Sequence, residues 1–172
     1  MGPGGAGMRV SGHRMGWGQM FCGDSHHSVD SKNRVFLPKR FQQDLPLDDD
    51  GNRVAILTRG LDGCLFLFPE LGLEKALERL DTEAFAELSD RRSQRAFFKY
   101  TTRVTLDSSG RFLLPEKFCR LGGIDGDVVM AGVRDRIEIW SPARWDALED
   151  ENEQAFEDFA AALTRSKPGG AA

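Results

Sequence analysis

Two five-residue stretches set a carboxylate and a guanidinium four residues apart with turn-forming residues between them. The first is Asp30-Ser31-Lys32-Asn33-Arg34, and the second is Asp107-Ser108-Ser109-Gly110-Arg111. An arginine in such a setting has two kinds of chemistry open to it. Its planar fork can bridge phosphate oxygens or read the O6 and N7 edge of guanine. It can also pair back to its own aspartate and lock the turn, and the recurrence of the pair favours some structural role in both places. Lys32 adds a phosphate-seeking ammonium to the first stretch, where the second has only Ser109. The first stretch is therefore the preferred anion reader, with Lys32 and Arg34 as its contacts, Lys39 and Arg40 as auxiliary cations and Arg111 as the weaker counterpart. Asp30, Asn33, Asp107 and Gly110 are the turn residues that hold these groups. Arg91, Arg92 and Arg95 are read as structural or interfacial cations.

Other chemistries find little support. The histidines are His13, His26 and His27, and no phosphate-binding loop, dinucleotide fingerprint or nucleophile motif accompanies them. A zinc site can be drawn from Cys22, His26, His27 and Cys64. However, no CxxC pair is present, and adjacent histidines on a strand point to opposite faces. Neither a metal, nor a cofactor, nor an enzymatic activity is expected. The carboxylates that crowd the C-terminal stretch read as a solvated face.

The elements that must position the two turns repeat as well. Ser28 to Phe41 aligns with Thr105 to Phe118, and Asp30, Ser31, Arg34, Leu37, Pro38 and Phe41 recur as Asp107, Ser108, Arg111, Leu114, Pro115 and Phe118. Each turn lies between apolar runs and predicts a hairpin. Asn33 and Gly110 occupy equivalent positions and predict a left-handed backbone there. Asp30 and Asp107 are placed to accept backbone N–H groups of the turn. Pro38 and Pro115 fit the first position of a short helix, which Phe41 and Phe118 anchor on the core.

Further strands are expected over Val54 to Thr58 and Cys64 to Phe68, and again over Val128 to Ala131 and Ile137 to Trp140, with turns near Asp62-Gly63 and Asp135-Arg136. Leu73, Ala76, Leu77 and Leu80 have helical spacing, and Phe85 and Leu88 extend an apolar face beyond an Asp81-Thr82 cap. A last helix should start after Ser141-Pro142 and run on through Trp145 and Leu148, its Phe156, Phe159 and Leu163 stripe packing on its own chain. Lys167 to Gly170 reads as a frayed end. A single half of this size is near the lower limit for independent folding. Two fused halves can share a core and cover each other's strand edges.

The formal net charge of −4 looks unsuited to a polyanion partner, but its distribution is uneven. From Trp145 to the end there are seven acids and two bases, a net −5, which leaves +1 for the rest of the chain. Ser31 to Gln43 holds four bases and no acid. Clustering matters more than the total for phosphate attraction. With 40% hydrophobic and 29% charged residues the chain is too apolar to be disordered throughout. Its apolar runs fall far short of the roughly 20 residues a membrane helix needs. Three cysteines without a close pair suit a reducing compartment. Residues 1–19, with seven glycines and no apolar core, read as a flexible extension and not as a signal peptide. Met8, Met15 and Met20 are alternative starts to Met1.

The stretches Met20-Phe-Cys-Gly, Val29-Asp-Ser-Lys-Asn-Arg34 and Leu37-Pro38 resemble the opening of MraZ proteins. The second motif, Asp107 to Arg111 with Leu114-Pro115, resembles the same family, as do Asp62 to Pro69 and Arg136 to Trp145. The resemblance spans Met20 to about Leu148. It implies an α+β fold of two tandem AbrB/SpoVT-like (double-psi, swapped-hairpin) β-barrel halves, with short helices between and after them. The expected division is an extension over 1–19, a first unit over 20–71, a helical connection over 72–100, a second unit over 101–144 and an acidic helix and tail over 145–172.

It also implies a cytoplasmic, nucleoid-associated transcriptional regulator, mainly a repressor. Such a protein would form ring-like homo-oligomers and bind tandem direct repeats of double-stranded DNA in the promoter of its own division and cell-wall operon. The family's DNA-contacting basic residues map to Lys32 and Arg34. Cys22 stands where members usually carry an arginine, and residues 1–19 have no counterpart. An alternative from the same fold is an interaction module, antitoxin-like or scaffolding, that uses the acidic helix to dock a partner.

Overall fold

The computed structural model describes residues 20–78 and 88–165. The extension over 1–19, Leu80, the Asp81-Thr82 cap, Phe85 and the Lys167 to Gly170 end lie outside the described residues. The first repeat supplies β1 (Phe21–Ser28), β2 (Arg34–Phe36), α1 (Lys39–Gln42), β3 (Val54–Arg59) and β4 (Leu65–Phe68). Then come α2 (Glu70–Leu77) and α3 (Leu88–Lys99). The second repeat supplies β5 (Thr101–Thr105), β6 (Arg111–Leu113), α4 (Glu116–Gly122), β7 (Asp127–Arg134) and β8 (Arg136–Trp140), and α5 (Pro142–Asp146) and α6 (Glu149–Thr164) close the chain.

The chain is α+β, with an antiparallel sheet and short helices. Six strands form one sheet in the order β1-β7-β8-β4-β3-β5, and β2 and β6 form a separate two-stranded ribbon. Pairing crosses between the repeats in a reciprocal way. β1 pairs with β7 and β5 pairs with β3, while β4 pairs with β8 and β2 with β6. The ribbon touches β1 through β2 and β5 through β6, so it spans the two outer strands of the large sheet.

β1 is a polar strand that hydrophobic alternation does not reveal, since only Phe21 of its eight residues is buried. Its place comes from an eight-residue register with β7, in which Gly23 faces Gly132. A Cβ on Gly132 would lie 2.3 Å from the Cys22 nitrogen, so glycine is what lets the two backbones approach. The β3–β4 turn carries Asp62 at φ 56° and Gly63 at φ 88°, the two positive angles of a type I′ hairpin. The corresponding β7–β8 turn is centred one residue earlier than expected, on Arg134-Asp135, because Val133 pairs with Arg136. Arg134 takes the positive φ there.

One core draws on both repeats. Phe21, Phe41, Phe112 and Phe118 are nearly or fully buried beside Leu37, Leu57, Leu65, Leu67, Leu114, Ile137 and Ile139. Phe41 and Phe118 anchor α1 and α4 as their spacing predicts. Pro38 and Pro115 sit one position before the first helical residue instead of in it. Their extended ψ of 137° and 145° carries the strand into the turn, and each proline carbonyl then accepts the first helical bonds. In α2, Leu73 is buried and Ala76 and Leu77 are half-buried.

The final helix departs from expectation in two ways. It is broken, because the Leu148 N–H bonds the Trp145 carbonyl three residues back, and Leu148 sits at φ −93° and ψ −3°. That tightened turn keeps Trp145 and Leu148 against Trp140 in a small second cluster with Cys64 and Val129, and it redirects α6. The apolar stripe of α6 does not pack on the described residues of its own chain. Phe156, Phe159 and Leu163 are 68%, 64% and 71% exposed, since α6 leaves the body where the Trp140 cluster ends.

Candidate nucleic-acid interface

Each Asp-x-x-x-Arg turn is built by local chemistry. Asp30 Oδ1 accepts the N–H groups of Lys32 and Arg34, both at 2.9 Å, and the Asp30 N–H closes the turn onto the Arg34 carbonyl at 2.8 Å. Asn33 takes φ 56° between them. The second turn repeats this: Asp107 Oδ1 accepts from Ser109 at 2.9 Å and Arg111 at 3.0 Å, with Gly110 at φ 78°. These donors hold the Asp30 carboxyl down at about 2, from an ordinary 3.8, with the Arg34 backbone N–H as the largest cause. Asp107 is lowered in the same way, led by the Arg111 N–H. The expected hairpin continues for one bridge, Val29 with Val35, because β2 then turns to β6 for its partner.

The arginines lie along their own aspartates. Arg34 donates Nε–H to Asp30 Oδ2 at 2.9 Å and sets Nη2 at 2.8 Å from the same oxygen. Arg111 makes the matching contacts to Asp107 Oδ2, both at 3.1 Å. The ion pair therefore forms in both halves, and it orients each guanidinium without using it up. Both arginine side chains remain about one-third exposed, and Arg34 Nη1 has no bonded partner among the described residues.

The ribbon brings the turns together. Val35 pairs with Phe112, the equivalent residue of the other repeat, so Arg34 and Arg111 sit at the two ends of a three-residue ladder. The turns also exchange backbone bonds. Leu37 N–H donates to the Gly110 carbonyl at 2.9 Å, and Leu114 N–H donates to the Asn33 carbonyl at 2.7 Å. Arg111 Nη1 comes within 3.9 Å of Asp30 Oδ2.

Lys32 is exposed in the first turn, and Lys39 is exposed at the start of α1. Arg40 is more engaged. Its Nη2 donates to the Asp24 carbonyl at 3.1 Å and to Ser25 Oγ at 3.3 Å, and its guanidinium stacks 4.6 Å from the Phe41 ring. It clamps α1 to β1. Its equivalent, Lys117, stacks on Phe118 and donates to the Lys99 carbonyl at 3.4 Å.

Sequence reasoning missed a pair of positioning residues. Gln42 Nε2 donates to the Leu37 carbonyl at 2.6 Å and lies under Gly110. Cys119, at the equivalent position of the second repeat, directs its thiol to the Leu114 carbonyl at 3.6 Å. The signal was present, since both follow the repeated phenylalanine, but a glutamine and a cysteine share no chemistry in the one-letter code.

The residues drawn as a metal set do not assemble. His26 is exposed, while His27 is half-buried with Nε2 2.9 Å from Ser25 Oγ. Burial, Arg40 and His26 each lower the His27 pKa. Cys64 is in the core, its thiol pushed up to about 12 by burial, and Cys22 is exposed. Among the described residues no three His, Cys, Asp or Glu side chains come together, and no helix is long and apolar enough to cross a membrane.

The family described as "MraZ protein, putative antitoxin-like" matches residues 20–96 and again 97–166. The chain belongs to the MraZ family. It is 36% identical over 141 residues to the protein named transcriptional regulator MraZ of Moorella thermoacetica, covering 82% of this chain and 94% of that one. The protein of the same name from Desulforamulus reducens is also 36% identical over 141 residues, covering 82% and 95%. That of Clostridium tetani is 35% identical over 133 residues, covering 77% and 89%. The boundary between the two MraZ matches falls within α3, so each match holds one Asp-x-x-x-Arg turn.

Proposed function

We propose that this chain is a transcriptional regulator that binds double-stranded promoter DNA in a sequence-specific way. The observation that carries the reading is the β2–β6 pairing, which joins two arginine-bearing turns into one rigid element. Arg34 is pre-oriented by Asp30 and keeps Nη1 for a phosphate or a base edge, and Lys32 stands exposed beside it. Pre-orientation lowers the entropy lost on binding. Arg111, Lys39 and Arg40 extend the cationic surface, and no cofactor or metal is required.

The reading has finer parts. Residues 20–71 and 101–144 are two AbrB/SpoVT-like swapped-hairpin units, joined by the connection over 72–100 and flanked by 1–19 and 145–172. The reciprocal β1–β7 and β5–β3 pairing supports it. One copy offers few contacts, so a ring-like homo-oligomer on tandem repeats gains effective concentration. Occupancy of the promoter of its own division and cell-wall operon excludes polymerase, which makes the protein a cytoplasmic, nucleoid-associated repressor.

The test is Arg34→Ala, assayed by gel shift on the DNA upstream of its own gene, with circular dichroism and light scattering in parallel. Binding should be lost while fold and mass are kept. Undiminished binding would remove the reading.

A second reading, an antitoxin-like or scaffolding module, is favoured by the exposed stripe on α6. Nucleic acid that co-purifies with the chain and dissociates in salt decides for the regulator.

A further inference from the structure

A groove of about 870 Å³ opens between β1 and the first half of α6. That volume lies within the ~300–1,000 Å³ of clefts that hold a ligand. Asp24 and His26 of β1 line one side, and Glu149, Glu153, Phe156 and Glu157 of α6 line the other. Asp146, at the end of α5, adds a fifth carboxylate. All five acids are exposed, and none of them makes an ion pair among the described residues. Phe156 stands among them 68% exposed. Carboxylates held this close repel one another, and a bare aromatic ring gains from burial, so a partner that is both cationic and apolar is favoured.

Such a partner is joined to the groove already. Residues 1–19 lead straight into β1, the strand that forms one of its walls. They hold no acid, and they carry Arg9, His13 and Arg14 among Met8, Val10, Met15 and Trp17. Their reach fits as well. Asp24 lies four residues beyond Met20, about 13 Å along a strand. Arg14 lies six residues before Met20, at most about 21 Å of chain. Gly16 and Gly18 fall between Arg14 and Met20, and glycine takes the backbone angles that a reversal of the chain needs. Arg9 and Arg14 are about 16 Å apart when extended, against about 12 Å from Glu149 to Glu157 along the helix. The arginine-bearing turns are the more distant surface, since the whole of β1 separates residues 1–19 from Asp30.

We propose that residues 9–17 occupy the groove of their own chain. Arg9 and Arg14 pair with its carboxylates, and the apolar side chains between and beside them lie over Phe156. Phe159 and Leu163 line no part of this groove, so the docked segment leaves them uncovered. The pairing sets cations against the acidic end of the same molecule. It ties the start of the chain to α6 across β1, a contact outside the stretch that the family match covers at its N-terminal side.

Trypsin cuts after arginine and so reports on the segment directly. The full chain is digested at low salt without DNA, and release of residues 1–9 and 10–14 is timed. Release should be roughly tenfold slower, or more, than from a chain with Glu149→Gln, Glu153→Gln and Glu157→Gln, because cleavage follows the undocked population. Added salt should shrink the difference. Circular dichroism checks the fold of the variant. Should it fail to fold, Arg14→Lys in the otherwise unmodified chain decides. Carbodiimide should join its new amine to the groove acids, and a mixture of isotope-labelled and unlabelled chain should show both ends of each crosslink coming from one copy. Equal release from the two chains, a difference that salt leaves unchanged, crosslinks to another surface, or crosslinks between copies would each overturn the proposal. With DNA absent, failure of the Arg34→Ala gel-shift test leaves this result standing, and the reverse also holds.

Discussion

The Asp30 carboxylate of the first repeat lies 3.9 Å from the Arg111 guanidinium of the second, while it is bonded directly to its own Arg34. One acid thus sits between two arginines from distant parts of the chain, and in the opposing turn Asp107 serves a single arginine, Arg111, among the described residues. The two turns are alike in build and unequal in charge environment.

Asp30→Asn should therefore do more damage than Asp107→Asn. It keeps an amide oxygen for the two backbone N–H groups but removes the carboxylate charge that faces both Arg34 and Arg111. We expect a lower melting temperature for both variants, larger for Asp30→Asn, together with weaker promoter binding because Arg34 loses its orientation. Thermal melts and gel shifts on the same preparations check this. Equal effects would mean that the contact to Arg111 contributes nothing.

Acid should unfold the turns selectively. A carboxyl depressed to about 2 from 3.8 binds its proton more readily in the unfolded chain, so its contribution is fully present above the unfolded value. It is lost as the pH falls through 3.8 toward 2. Asp107 acts in the same direction. Urea midpoints measured from pH 6 to pH 2 should fall in that lower window, and Asp30→Asn should start lower and fall less steeply.

The difference between Lys32 and Ser109 predicts an asymmetry that can be engineered. Lys32→Ser should reduce the slope of log affinity against log salt by about 1, the loss of one phosphate contact. Ser109→Lys should raise the slope by a similar amount if the second turn also faces DNA. An unchanged slope in the second variant would confine the interface to the first repeat.

The equivalent positions Asn33 and Gly110 should tolerate substitution differently. Asn33→Gly relieves a left-handed backbone and should be near neutral, while Asn33→Ala should cost about 1 kcal/mol. Gly110→Ala should cost more, because its new Cβ would fall 2.2 Å from Gln42 Nε2 as well as at a positive φ. Chemical denaturation of the three variants orders them.

Gly132→Ala should detach β1 from β7, because the added Cβ meets the Cys22 backbone and no flexible side chain. We expect a loss of about 3 kcal/mol, and fast amide exchange over Phe21–Ser28 ahead of the rest of the sheet. Hydrogen exchange that stays uniform would show that β1 is held by more than this register.

What the sequence by itself determined was the turn chemistry and the repeat. Asp30, Asn33 and Arg34 interact within four residues, so their types and spacing carry the positive φ, the accepted N–H groups and the arginine pair. The burial of Phe41 and Phe118 was legible for the same reason, as the short helix that displays them is local. Only the tertiary structure decided which strand meets which. β1 is polar, and its partner β7 lies about 100 residues away, so no local pattern selects it. The long-range pairing of β2 with β6 sets Asp30 beside Arg111, and the Trp140 cluster bends the chain at Leu148 and leaves the α6 stripe in water. Those outcomes depend on the shape of a core assembled from both repeats, a property that neighbouring residues do not encode.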